Sequence, residues 1–182
     1  VVDVPDTTPR IANDAALSEA VDLLAAAERP LLYVGGGCRR SDVAAVRTLA
    51  RETNLPVLAS YKGKGVVPDD DPRVLGVAGS HTPASALAVV EEADLTVALG
   101  ADLDDVATGG GELPLDPLVH VTLAPADLHT RYDTRLAVHG DAGAAARRLV
   151  DAAGAGGWDG AAVGARAARA WEERLREGGF LD

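Results

Sequence analysis

Short apolar runs recur along the chain and are separated by stretches whose apolar residues return every three or four positions. Leu31–Val34, Val57–Ala59, Leu95–Leu99, Leu118–Leu123 and Arg135–Val138 read as strands, and Val74–Val77 adds a further short one. Most of these runs do not alternate with polar residues, which suits strands covered on both faces, as in a parallel sheet between helices. Leu17, Ala20, Val21 and Leu24 predict a helix over Ala15–Ala27, capped by Asn13 or Asp14 and ended by Glu28-Arg29-Pro30. Val43, Val46, Leu49 and Ala50 predict a second, from a Ser41 cap through Arg51. Ala86, Val89 and Val90 predict a third, from Thr82-Pro83 through Glu92, with Pro83 at its first position. Ala145, Leu149 and Val150 mark Ala142–Ala153, and Val163–Leu175 reads as a last helix anchored by Trp171.

Strand, helix, strand is the repeated order. It predicts an α/β fold, a three-layer doubly wound parallel sheet of Rossmann-like type, whose loops at the strand C-termini form one functional edge. Two irregular stretches break the rhythm: Ser60–His81, rich in glycine and proline, and the region of Gly109-Gly110-Gly111 and Pro114. Loops of the first kind are uncommon without a function. Residues 1–12 read as a linker entering from a preceding domain, residues 13–153 as the Rossmann-like domain, and residues 154–182 as a flexible joint and a helix leading to a following domain.

Composition narrows the partners more than the fold. The 182 residues are 47% hydrophobic but only 3% aromatic, so the core is built from small aliphatic groups. A net charge of -11 argues against nucleic acid and anionic membrane surfaces, which need positive charge. The single cysteine, Cys38, excludes an internal disulfide and points to a reducing cytoplasmic setting. No apolar run approaches the ~20 residues needed to span a bilayer. Methionine is absent, as expected of a piece of a longer protein.

The candidate chemistry gathers at the predicted edge. Gly35-Gly36-Gly37 follows the first strand, where backbone N–H groups near a helix start can cradle an anion. A dinucleotide fingerprint would need a third glycine where Arg40 stands, and an acid at the end of the second strand, where Ala59-Ser60-Tyr61 stands. Conventional NAD binding is therefore disfavoured. No phosphate-binding P-loop and no serine nucleophile elbow occur. Of the four histidines, His81 stands out, because it lies in a glycine-rich loop before a helix and can transfer a proton or hold a ligand; a plain polar loop residue is the alternative. Cys38 beside Arg39 and Arg40 is in a setting that lowers a thiol pKa, though a small packed residue is the simpler reading. Asp102, Asp104 and Asp105 can bind a hydroxyl, a cation or an arginine, or form a solvated, helix-capping cluster. Lys62 and Lys64, the only lysines, share one glycine-rich loop and hint at an anion contact.

In this order and spacing the motifs resemble the central domain of thiamine diphosphate-dependent enzymes of the acetolactate synthase and benzoylformate decarboxylase group. The resemblance rests on Ala27 through Gly37, Leu55-Pro56-Val57, Gly63-Lys64-Gly65 with Val67 to Pro72 and Leu75-Gly76, Glu92 to Leu95 with Leu99 to Asp105, and Gly140-Asp141. It implies a Rossmann-like domain of the DHS-like nucleotide-binding type inside a 2-keto acid decarboxylase or carboligase. Thiamine diphosphate and magnesium would be held by separate pyrimidine-binding and diphosphate-binding domains of a homo-oligomeric parent, so this stretch alone would not be catalytic. In some members the central domain binds FAD, and in an oxalyl-CoA decarboxylase-like branch ADP. The matching positions here are Gly35, Gly36, Gly37, Ser60, Tyr61, Lys62, Gly63, Ser80, His81, Gly100, Asp102, Asp104 and Asp105. The flavin-binding pattern usually has arginines where Asp102 and Val106 stand, and an acidic run where Val121 to Pro125 stands, departures that weaken FAD. The alternative expectation is a stand-alone nucleotide-binding module of the same fold, of electron-transfer or deacylase-like type.

Overall fold

The computed structural model describes residues 14–80, 82–152, 154, 157–179 and 181. The expected linker over residues 1–12 and His81 lie outside them. Helix α1 (Asp14–Ala26) leads through three residues into strand β1 (Pro30–Val34). Helix α2 (Val43–Glu52), strands β2 (Val57–Ala59) and β3 (Val74–Val77), helix α3 (Ala84–Glu92) and strand β4 (Leu95–Leu99) follow. The short helix α4 (Asp105–Thr108), strands β5 (Leu118–Thr122) and β6 (Leu136–His139), and helices α5 (Ala142–Leu149) and α6 (Gly160–Glu177) complete the order. The strands form one sheet in the order β3-β2-β1-β4-β5-β6, and every neighbouring pair is parallel. This is the doubly wound α/β fold that the uninterrupted apolar strands predict.

The side-chain alternation of the strands divides the core in two. Leu32 and Val34 of β1, Val97 and Leu99 of β4, and Val119 and Val121 of β5 face a layer under α1, α2 and α5 that is aliphatic except for Cys38. Leu31 and Tyr33 of β1 and Ala98 of β4 face the other way, under α3 and α6. Helix α1 buries Ala16, Leu17, Ala20 and Leu24 at helical spacing, and truncating a fully buried leucine such as Leu17 to alanine costs about 2–5 kcal/mol. The N-terminal ends of β1 and β4 are tied by Asp94, whose carboxylate accepts the backbone N–H groups of Glu28 and Arg29, both at 2.8 Å.

Three local expectations are corrected. The α2 cap is Asp42, whose carboxylate accepts the Ala45 N–H at 3.1 Å; Ser41 is taken by the next layer. Its hydroxyl donates to the buried Asp141 at 2.7 Å and accepts the Gly143 N–H at 2.7 Å, binding the α2 and α5 N-termini together. Pro83 precedes α3 in extended conformation, ψ 140°, instead of opening the helix. Trp171 is not the anchor of the last helix, being 43% exposed. Val163 and Ala167, with Gly160 and Gly164, are the buried positions of α6, and Trp158, just before it, donates its indole N–H to the Pro30 carbonyl at 2.9 Å. Just before Trp158, the Gly157 N–H donates to Glu28 O at 2.6 Å. No helix among the described residues is long and apolar enough to cross a membrane.

Candidate functional site

In an open sheet of this order the crevice for a ligand lies at the C-terminal ends of β1 and β4, where successive connections diverge to opposite faces. The candidate residues meet there. The loop after β1 carries Gly35–Gly37, the loop after β2 carries Ser60–Gly63, and the turn after β4 carries Gly100–Asp105. Ser80 lies on the same edge, past β3.

The first loop is packed against the turn after β4 so closely that only hydrogen fits between them. A Cβ at Gly35 would stand 2.2 Å from Gly100 O and 2.3 Å from the Ala101 Cα. The Gly35 N–H donates to Leu99 O at 2.8 Å and the Gly37 N–H to Gly100 O at 2.7 Å, so these donors are spent inside the protein. The Cys38 N–H closes the turn onto Gly35 O at 3.2 Å. Cys38 itself is fully buried with its thiol 3.1 Å from Leu99 O, and burial pushes it up to about 12. The neighbouring arginines do not activate it; it is a core residue.

Across this loop lies Lys62. Its ammonium donates to Asp102 at 2.6 Å and Asp104 at 3.1 Å, carboxylates forty and forty-two positions further along the chain. These hydrogen bonds, first the one to Asp102, raise the lysine pKa. Asp104 is in turn held below the usual carboxylate range, chiefly because its other oxygen accepts the Ala107 N–H at 2.8 Å as the α4 cap, with Lys62 adding to the effect. The lysine stem passes directly over the middle glycine, where a Cβ at Gly36 would come within 2.7 Å of the Lys62 Cβ. Asp105 pairs with Arg131, and Lys64 with Asp69. The anion contact that the two lysines suggested is thus made, but with the chain's own acids.

The turn bearing Asp102 and Asp104 is fixed on both sides by buried polar groups from the sheet. His120, on β5, lies 2.8 Å through Nε2 from Ala101 O, and burial lowers its pKa, so the neutral ring donates its Nε2–H. Tyr33, on β1, donates its hydroxyl to Ala107 O at 2.8 Å, and burial raises its pKa. Neither residue stood out as functional in the sequence. Their signal was only a polar atom inside an apolar strand run. Ser60 is buried, and its hydroxyl accepts the Gly63 N–H at 3.0 Å, shaping the loop that launches Lys62.

Beside the crevice is a cleft of about 560 Å³ lined by Tyr61, Val77–Ser80, Asp105, Val106, Gly109 and Gly110. Tyr61 and Val106 are 73% and 66% exposed, the most exposed large apolar side chains among the described residues. Among the described residues, no group of three or more His, Cys, Asp or Glu side chains is placed to hold a metal ion.

Residues 17–149 match the family model described as thiamine pyrophosphate enzyme, central domain. The chain belongs to this family. Its central-domain match includes every strand of the sheet and the whole crevice. Relatives include an acetolactate synthase large subunit of Parasynechococcus marenigrum, 38% identical over 144 residues, which are 76% of this chain and 23% of the relative. The acetolactate synthase isozyme 2 large subunit of Escherichia coli is 35% identical over 130 residues, 70% of this chain and 24% of the relative. Another, the probable chloroplastic acetolactate synthase 2 of Oryza sativa, is 40% identical over 114 residues, 62% of this chain and 17% of the relative. The central-domain chain therefore spans about a quarter or less of the length of these curated relatives.

The residues present do not fit the diphosphate of a bound FAD or ADP in the crevice between β1 and β4. Two of the loop amides that would receive it already donate to β4 and its turn, and Lys62 is engaged by two carboxylates that would repel it.

Proposed function

We propose that this chain serves as the scaffolding central domain of an acetolactate synthase-like, thiamine diphosphate-dependent 2-keto acid decarboxylase or carboligase of the cytoplasm. Its work is to space and orient the pyrimidine-binding and diphosphate-binding domains of the parent and to take part in contact between subunits of a homo-oligomer. Thiamine diphosphate and magnesium belong to those neighbouring domains; the thiamine group, when bound there, would supply the electron sink for breaking or forming the bond next to a keto carbonyl. The observation that carries this reading is the family match across the whole sheet together with a chain equal to about a quarter of several acetolactate synthase relatives. The internal bonding at the edge agrees with it, since Lys62, Asp102, Asp104, His120 and Tyr33 spend their polar atoms on holding loops together.

The test is to assay the chain alone with thiamine diphosphate, magnesium and pyruvate, and then as the replacement for the central domain of an acetolactate synthase large subunit. The chain alone should neither bind the cofactor nor release carbon dioxide, whereas the assembled chimaera should produce acetolactate. Turnover by the chain alone would refute the scaffold reading. A stand-alone nucleotide-binding module, by contrast, requires the chain alone to give saturable binding in titrations with ADP and FAD.

A further inference from the structure

We propose that the crevice between the C-terminal ends of β1 and β4 is closed from within by a clamp of Lys62, Asp102 and Asp104, and that it takes no nucleotide in the working protein. The clamp occupies the place and supplies the charge that a bound diphosphate would. One ammonium faces two carboxylates, at 2.6 and 3.1 Å, so the cluster carries one net negative charge. An incoming diphosphate would have to draw Lys62 away from both acids and would then face them uncompensated. Arg131, a cation on the same edge, is engaged with Asp105.

The backbone gives the same answer independently. The Gly35 and Gly37 N–H groups donate to Leu99 O and Gly100 O, and the space above Gly36 is filled by the Lys62 stem. Opening the crevice by moving the β4 turn is resisted on both sides of the acids, by His120 on Ala101 O and by Tyr33 on Ala107 O. Each bond is buried, so breaking it strands a polar group away from water.

This inference deepens the scaffold reading and fails separately from it: nucleotide binding overturns the closure, whereas turnover by the chain alone overturns the scaffold. The full chain is titrated by calorimetry at low salt with ADP, FAD and inorganic pyrophosphate. The wild-type chain should show no saturable binding tighter than about 1 mM. The double variant Asp102→Asn with Asp104→Asn keeps an α4 cap, because asparagine caps as well as aspartate, and frees the Lys62 charge. It should bind pyrophosphate at least about tenfold more tightly than the wild type. Asp102→Asn alone, which touches no helix cap, should give at least about a threefold gain and serves if the double variant does not fold. Wild-type binding of ADP or FAD tighter than about 1 mM, flavin carried through purification of the wild-type chain, or variants no better than wild type for pyrophosphate would each overturn the proposal.

Discussion

Replacing Gly35 by alanine tests the closeness of the β1 loop and the β4 turn, on which the whole edge depends. The new Cβ would stand 2.2 Å from Gly100 O, 2.3 Å from the Ala101 Cα and 2.5 Å from the Ala101 N, all backbone atoms that cannot swing aside. Relief requires the two segments to part, and overpacking of this kind costs about 1–3 kcal/mol. Parting them also loosens the Gly35 N–H bond to Leu99 O and the Gly37 N–H bond to Gly100 O, each worth about 0.5–1.5 kcal/mol net. The total is about 2–6 kcal/mol, which at about 2–4 °C per kcal/mol for a chain of this size lowers the melting temperature by about 4–24 °C. Gly65→Ala is the control: its φ of +81° penalises a side chain, but nothing lies within 4 Å of the added carbon. It should cost about 1–2 kcal/mol. Thermal melts followed by circular dichroism read both variants. A Gly35→Ala chain that melts within about 2 °C of wild type, or less affected than Gly65→Ala, would refute the claim that the two loops are in backbone contact.

Asp141→Ala removes the α5 cap and the acceptor of the Ser41 hydroxyl together, and should cost about 2–4 kcal/mol; a shifted urea midpoint at constant slope measures it, with Asp141→Asn recovering part. His120 gives a pH dependence whose sign follows from burial. Its folded pKa lies below the unfolded value of 6.5, so the unfolded chain binds more protons in the window between them, and stability falls as pH drops below about 6.5. His120→Leu should flatten that part of the profile in urea midpoints taken between about pH 5 and 8, and an unchanged slope would show that another group is responsible. Cys38, buried and pushed up to about 12, should resist alkylation in the native chain and react fully in urea; rapid native labelling would contradict its placement.

The strands around the crevice were legible because each solves a local problem. Leu31–Val34 and Leu95–Leu99 are apolar on both faces, and only a central parallel strand wants that composition. Val74–Val77 was harder to read, since an edge strand is only partly covered and Gly76 breaks its pattern. Arg135–Val138 was read one residue early for a similar reason: β6, at the other edge, has half-exposed ends that blur the apolar signal. Ser41 looked like a cap by every local rule, but its neighbour Asp42 caps α2 and the Ser41 hydroxyl is taken by a carboxylate one hundred residues away. The same holds for the site. The glycine loop, the lysine pair and the acid cluster each stood out, but nothing in local spacing links Lys62 to Asp102. Only the sheet order, which lays the β2 loop across the β1 loop towards the β4 turn, brings them together.

The paired bonds from Tyr33 and His120 also set a clock. They bracket the segment from Ala101 to Ala107 and anchor it to the two strands that flank β4, so the turn moves only when buried polar groups of β1 and β5 are exposed. Such an excursion belongs to partial unfolding, with free energies approaching that of the whole domain, and not to the fast breathing of surface loops. Amide hydrogens under the turn should therefore exchange as slowly as those of the central strands. Any molecule entering between β1 and β4 would arrive at the frequency of local unfolding, however high its concentration outside.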